Sequence, residues 1–160
     1  MNDGRPILAI DPGLTGALAF YLLEAPDRIA TYDMPVVDGE INAAELRDMI
    51  AKFDPRAAII ERVNPMPRDG VRQAWRFSAA YTTAKVVVAM MNIPVWLVTP
   101  SAWKKAMKVG GGPAGKEECR ALAIQMFPAC AAQFSRKKDA GRAEAALMAH
   151  YAAQQPKANT

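Results

Sequence analysis

The chain has 160 residues, 51% hydrophobic and 22% charged, which suits one domain with a sizeable core. No apolar run approaches the roughly 20 residues of a membrane span, and the polar start Met1-Asn2-Asp3-Gly4-Arg5 is unlike a signal peptide. The formal charge of +4 is unevenly spread: residues 1–54 carry four Lys/Arg against ten Asp/Glu, and residues 55–160 sixteen against six.

In chain order, residues 7–10 form a short apolar run ended by Asp11-Pro12-Gly13, a turn tripeptide. Residues 16–23 and 29–34 are two further strands, with Ala25-Pro26-Asp27 turning between them. Three strands with short connections read as an antiparallel meander. A helix follows, capped by Asn42 with Glu45 three residues on, carrying Leu46, Met49, Ile50 and Phe53 and ending at Asp54-Pro55. Residues 57–63 are a fourth strand. From 73 to 91 the apolar letters Ala74, Phe77, Ala80, Ala84, Val87 and Met91 keep a three-and-four rhythm, which predicts a long amphipathic helix. A fifth strand at 94–98 precedes helices at 101–107, 116–127 and 141–153, with Gly110-Gly111-Gly112-Pro113 as a loop. The economical packing is α/β: a mixed five-stranded sheet flanked by helices, one domain over 1–155 with a flexible tail at 156–160.

Acids stand where core residues are expected. Asp11 ends one apolar strand, and Glu61 ends Ala57-Ala58-Ile59-Ile60 in the same way. Either acid alone reads as its strand's exit into solvent; two in one sheet are less easily dismissed. Glu144 lies among small and apolar helical neighbours, a face that can pack close to the strands and bring a third carboxylate to the other two. Two carboxylates about 4 Å apart repel by ~1 kcal/mol in water and by ~4 kcal/mol at an effective dielectric of 20, so three need a cation or protons. Carboxylate oxygens select Mg²⁺ or Mn²⁺ over zinc. Cys119 and Cys130, eleven apart, and the single His150 make no zinc pattern, and two free thiols fit a reducing cytoplasm. Divalent ions amid acids, beside a basic surface, describe phosphodiester hydrolysis with two metal ions.

These segments resemble the RuvC-type Holliday-junction resolvases, within the ribonuclease H-like superfamily. Ile7-Leu8-Ala9-Ile10-Asp11-Pro12-Gly13-Leu14-Thr15-Gly16 is similar to their first strand and turn, and Ile59-Ile60-Glu61-Arg62-Val63 to their second acidic strand. Lys137-Lys138-Asp139-Ala140-Gly141-Arg142-Ala143-Glu144-Ala145 resembles the C-terminal motif of the bacteriophage and prophage branch. Pro100-Ser101-Ala102-Trp103-Lys104-Lys105, Lys116-Glu117 and Phe127-Pro128 also match that branch, so the likeness runs from about residue 6 to 152. The resemblance implies a homodimer that makes paired nicks across a four-way DNA junction in the bacterial or phage-infected cytoplasm, leaving 5′-phosphate and 3′-hydroxyl ends. It implies Asp11, Glu61 and Glu144 as ligands of two Mg²⁺ or Mn²⁺ ions, with Asp139 as a fourth acid; the 73–91 helix is the candidate dimer element, although burial within one subunit would explain the same apolar stripe.

One position departs: relatives often carry a histidine or second acid after the Asp of the last motif, where this chain has Ala140. Asp139 is then open to two readings, a metal ligand or a helix cap. Lys104, Lys105, Lys116, Lys137, Lys138 and Arg142 belong to motifs near the expected centre and are candidates for holding the scissile phosphate and its neighbours. Arg62, Arg68, Arg72, Gln73 and Arg76 surround the loop 65–70, the segment that enters the junction in the family. Met66 and Trp75 could act there as wedges, although core packing is the favoured role for Trp75 and Trp103. Two rival readings are a non-cutting junction or fork binder and an actin- or Hsp70-like ATP-binding domain. The latter shares the Asp-x-Gly-x-Thr-Gly turn, but that fold needs two domains around a cleft.

Overall fold

Alternation along the central strands sets the layering of the molecule. The structure, a computed structural model, describes residues 3–62 and 64–158. In chain order it comprises β1 (Ile7–Asp11), β2 (Ala17–Tyr21), β3 (Ile29–Asp33), β4 (Val36–Val37), β5 (Glu40–Ile41), α1 (Ala43–Phe53), β6 (Ala57–Glu61), α2 (Val71–Met90), β7 (Val95–Val98), α3 (Pro100–Met107), α4 (Gly112–Met126) and α5 (Ala140–Ala153). The main sheet has the order β3-β2-β1-β6-β7. Its first three strands pair antiparallel, and β6 and β7 join parallel to β1. This is the expected mixed five-stranded sheet. Val63, read as the end of the fourth strand, lies outside the described residues.

Side chains alternate across a strand, so each strand feeds two cores. Leu8, Ile10, Leu18, Phe20, Ala58 and Ile60 face α1 and α2, meeting Leu46, Ile50, Ala84 and Val88. Ile7, Ala9, Ala17, Ala19 and Ile59 face the other way, onto α5 and the aromatic residues Trp103, Phe127 and Phe134. Helix α5 is buried over most of its length, because its many alanines let it lie close to the sheet. Fully burying one Ile or Leu side chain is worth about 1.5–3 kcal/mol, so the central strands and these helices hold each other in place.

Three features differ from expectation. The Asp38-Gly39 turn, with φ of 52° and 77°, closes the small β4–β5 hairpin. Asp-Gly is a strong two-residue hairpin signal. The stretch after Pro128 winds into a 3-10 segment, Pro128–Phe134, from which Gln133 reaches the sheet edge. Its side-chain oxygen accepts from Thr31 N–H at 2.7 Å and its amide donates to Ile29 C=O at 2.9 Å, so an amide side chain occupies the open edge of β3. The tail expected from residue 156 begins as a 3-10 turn, Pro156–Ala158, with Ala158 buried. Among the described residues no helix is long and apolar enough to cross a membrane.

Candidate active site

Two parallel strands, β1 and β6, run in register from Ile7 opposite Ala57 to Ile10 opposite Ile60, and one step further along stand Asp11 and Glu61. Both acids follow the odd-numbered set Ile7, Ala9 and Ile59, so both lie on the face covered by α5. Glu144, in the second turn of α5, is only 9% exposed.

Close approach of helix to turn is what brings the third acid in. Gly16 folds the Asp11–Gly16 turn so tightly that a Cβ would collide with the Asp11 carbonyl oxygen, and its N–H donates to Gly13 C=O at 2.9 Å. Gly141, at the start of α5, sits against the same turn: a Cβ there would stand 2.6 Å from the Thr15 carbonyl oxygen. Glycine at both positions lets the helix rest on the turn that carries Asp11.

The carboxylates feel one another. Burial pushes Asp11 up to about 7, and the charges of Glu61 and Glu144 push the same way, against the Gly13 backbone and Lys104. Glu61 is also raised, first by burial and then by Glu144, although a hydrogen bond from Trp103 opposes this. That bond runs from the indole Nε1–H to Glu61 Oε2 at 2.6 Å. Lys104 Nζ lies 4.0 Å from Glu144 Oε2 and 5.4 Å from the centre of the Trp103 ring.

Trp103 is fully buried, as its packing role anticipated, but it also holds a carboxylate. The signal was available: a buried indole N–H needs an acceptor, and a strand-end acid in the same domain is an obvious one. Lys104 is the one expected lysine drawn into the centre itself. Lys105 and Lys116 are exposed on α3 and α4, and Lys137 and Lys138 are exposed on the short 3-10 turn before α5.

Asp139 does not join the other acids. Its buried carboxylate accepts from Arg136 N–H at 2.9 Å and from Arg136 Nη2 at 2.8 Å, and this pairing holds it below the usual carboxylate range. Its side chain makes no capping bond to α5; it closes the 3-10 turn Lys137–Asp139 that precedes the helix. Ala140 is the first residue of α5, one turn before Glu144. Arg142 forks onto Asp33 at 2.7 and 3.0 Å, which ties α5 to the end of β3.

Arg62, Arg68, Arg72, Gln73 and Arg76 are all exposed. Gln73 and Arg76 line a small cavity of about 160 Å³ against Gly13, Leu14 and Thr15, so the start of α2 borders the Asp11 turn. Trp75, read first as core, is 76% exposed, and Met66 is 66% exposed. Periodicity assigned Trp75 to a helix correctly but could not tell whether anything covers that face.

As donors, Asp11, Glu61 and Glu144 are three hard oxygen groups carrying mutual repulsion, the chemistry that suits Mg²⁺ or Mn²⁺. The fit is one of donor type and charge: among the described residues no group of three or more His, Cys, Asp or Glu is gathered closely enough to hold an ion. Burial pushes the Cys119 thiol up to about 12.

No protein-family model matches the chain, and no curated protein matches it by sequence. Solved structures do. The chain is similar to T. thermophilus RuvC in complex with a Holliday junction substrate, at TM-score 0.59 and 17% identity, covering 92% of both chains. It is similar to Thermus thermophilus RuvC alone at TM-score 0.59 and 19% identity, over 92% of this chain and 93% of that one. A third match is the yeast mitochondrial Holliday junction resolvase Ydc2, at TM-score 0.55 and 16% identity, over 91% and 76%. The fold is therefore that of the RuvC-type resolvases, a ribonuclease H-like α/β architecture.

Proposed function

We propose that the chain is a metal-dependent endonuclease that cuts four-way DNA junctions by paired nicks. The observation that carries this reading is geometric: Asp11 and Glu61 end the neighbouring parallel strands β1 and β6 on the face covered by α5, the helix that carries the buried Glu144. Acids held there, beside exposed Lys105, Lys116, Lys137 and Lys138, suit a centre that binds cations and polyanions together. The fold agrees with it: its solved relatives include a RuvC bound to a Holliday junction.

Asp11, Glu61 and Glu144 are the residues to hold Mg²⁺ or Mn²⁺, two ions being the expectation. A divalent ion there supplies Lewis-acid polarisation of the phosphodiester and a more acidic attacking water. The chain's own groups prepare that chemistry. Trp103 fixes the orientation of Glu61 through its indole N–H, and Lys104 places a positive charge beside Glu144. The exposed lysines around the centre and Arg62, Arg68, Arg72 and Arg76 supply phosphate contacts, which position the strand without reading sequence.

Helix α2 supports a homodimer. Val71, Trp75, Val86 and Met90 fall on one side of it and are 89%, 76%, 49% and 78% exposed, apolar groups near its two ends that the described residues do not cover. A two-fold dimer matches a four-way junction, because isologous contacts set two active sites on symmetry-related strands. The two free cysteines fit a reducing cytoplasm.

The test is incubation with a labelled mobile four-way junction and with linear duplex of the same sequence, with Mg²⁺ or with EDTA. Paired, symmetric, Mg²⁺-dependent nicks in the junction alone are expected. Junction retention without nicks would replace this reading with a non-cutting binder.

A further inference from the structure

A cavity of about 670 Å³ opens beside the acid centre, within the roughly 300–1,000 Å³ range of small-ligand sites. Three separate stretches line it: Thr15 from the turn after β1, Lys116 from α4, and Lys137, Lys138 and Ala140 from the 3-10 turn and the start of α5. Between the lysines the lining is small and apolar, with Pro113 and Ala114 alongside Ala140. The carboxylate on the rim, Glu117, is already bonded to Arg120 at 2.7 and 2.9 Å, so it does not neutralise the lysines. The cavity thus combines three ammonium groups, a hydroxyl and an apolar wall. One turn of α5, about 5.4 Å of helix, separates Ala140 from Glu144.

We infer that this cavity holds one nucleotide of the bound DNA strand, next to the phosphate presented to Asp11, Glu61 and Glu144. Lys116, Lys137 and Lys138 take its phosphate, and its base lies against Pro113, Ala114 and Ala140 with the Thr15 hydroxyl as the available hydrogen-bonding group. This assignment rests on the nuclease reading and gives it a nucleotide-binding subsite. A base must leave its stack to lie there, which is easiest where it is already unpaired, so the subsite favours branched over continuous duplex DNA. The alanine at 140 keeps the space open.

The experiment is a titration of the full chain with deoxynucleoside 5′-monophosphates and, separately, inorganic phosphate, in EDTA, followed by the methyl NMR signals of Ala114, Ala140 and Thr15. The expected result is saturable shifts at these three methyls, with a nucleotide binding at least about ten-fold tighter than phosphate. Lys137→Ala/Lys138→Ala should weaken both ligands. Ala140→Leu should exclude the nucleotide while phosphate still binds, with the remaining methyl spectrum unchanged as a check on folding. Equal affinity for nucleotide and phosphate, or shifts spread over the basic surface, would overturn the inference. Neither junction nor metal is present, so a protein that fails to cut still returns an answer. A protein that cuts junctions but binds no nucleotide removes this subsite alone.

Discussion

Asp11 is the residue on which the chemistry and the stability of this chain pull in opposite directions. Its ordinary value is 3.8 and its value in the fold about 7, so the folded state binds that proton more tightly than the unfolded chain. The stability it contributes is complete below about pH 4 and is lost as pH rises through 7. Asp11→Asn removes the charge, so in metal-free buffer at pH 8 the variant should be more stable than the parent, by on the order of 1–4 kcal/mol. At pH 4 the difference should vanish, and urea denaturation at the two pH values measures it. An equal effect at both would mean that Asp11 carries no such strain. Asp139 has the opposite sign: Arg136 lowers it, so its contribution is present above the ordinary carboxylate range and is lost as pH falls through the lowered value. Asp139→Asn should cost about 1.5–3 kcal/mol at pH 7 by weakening charge-assisted hydrogen bonds, while the protein that remains folded still nicks junctions. Lost nicking at unchanged stability would instead make Asp139 a ligand.

At the scale of elements, the decisive contact is between α5 and the turn after β1. Gly141→Ala places a methyl against the Thr15 carbonyl, so α5 must shift or tilt away and take Glu144 with it. The expected result is a loss of about 1–3 kcal/mol and weaker Mn²⁺ binding, read by urea denaturation and calorimetric titration. Unchanged metal binding would show that the approach at Gly141 does not set the position of Glu144. These elements also show what could be read in advance. Acids ending two apolar strands, and small residues around Glu144, are local patterns, so Asp11, Glu61 and Glu144 were legible. The fork of Arg142 onto Asp33 spans 109 positions and leaves no local trace in the sequence. The Arg136–Asp139 pair, three residues apart, is local enough to be legible in the sequence.

For the whole molecule, two surfaces remain for partners: the basic rim around the acid centre and the exposed apolar groups of α2. Periodicity showed that α2 has an apolar side, but whether the chain covers that side depends on tertiary packing. Trp75 was misjudged for this reason. Val86→Glu/Met90→Glu should convert a dimer into a monomer in sedimentation velocity, reduce paired nicks to unpaired ones and leave the fold intact. A protein that is monomeric before mutation and still makes paired nicks would exclude α2 as the interface. The uneven charge of the sequence belongs to this scale as well. Both halves contribute strands to one sheet, and the acids of the first 54 residues other than Asp11 all lie on exposed positions, Asp33 among them pairing with Arg142.

The central claim is that three carboxylates from two strands and one helix form a single cation-dependent cutting centre. Its most direct test compares the parent chain with Glu144→Gln on one labelled four-way junction, measuring retention in EDTA and nicking in Mg²⁺. Equal retention by both proteins, with symmetric nicks from the parent and at least about a hundred-fold fewer from the variant, is the predicted result. Undiminished nicking by Glu144→Gln would contradict it.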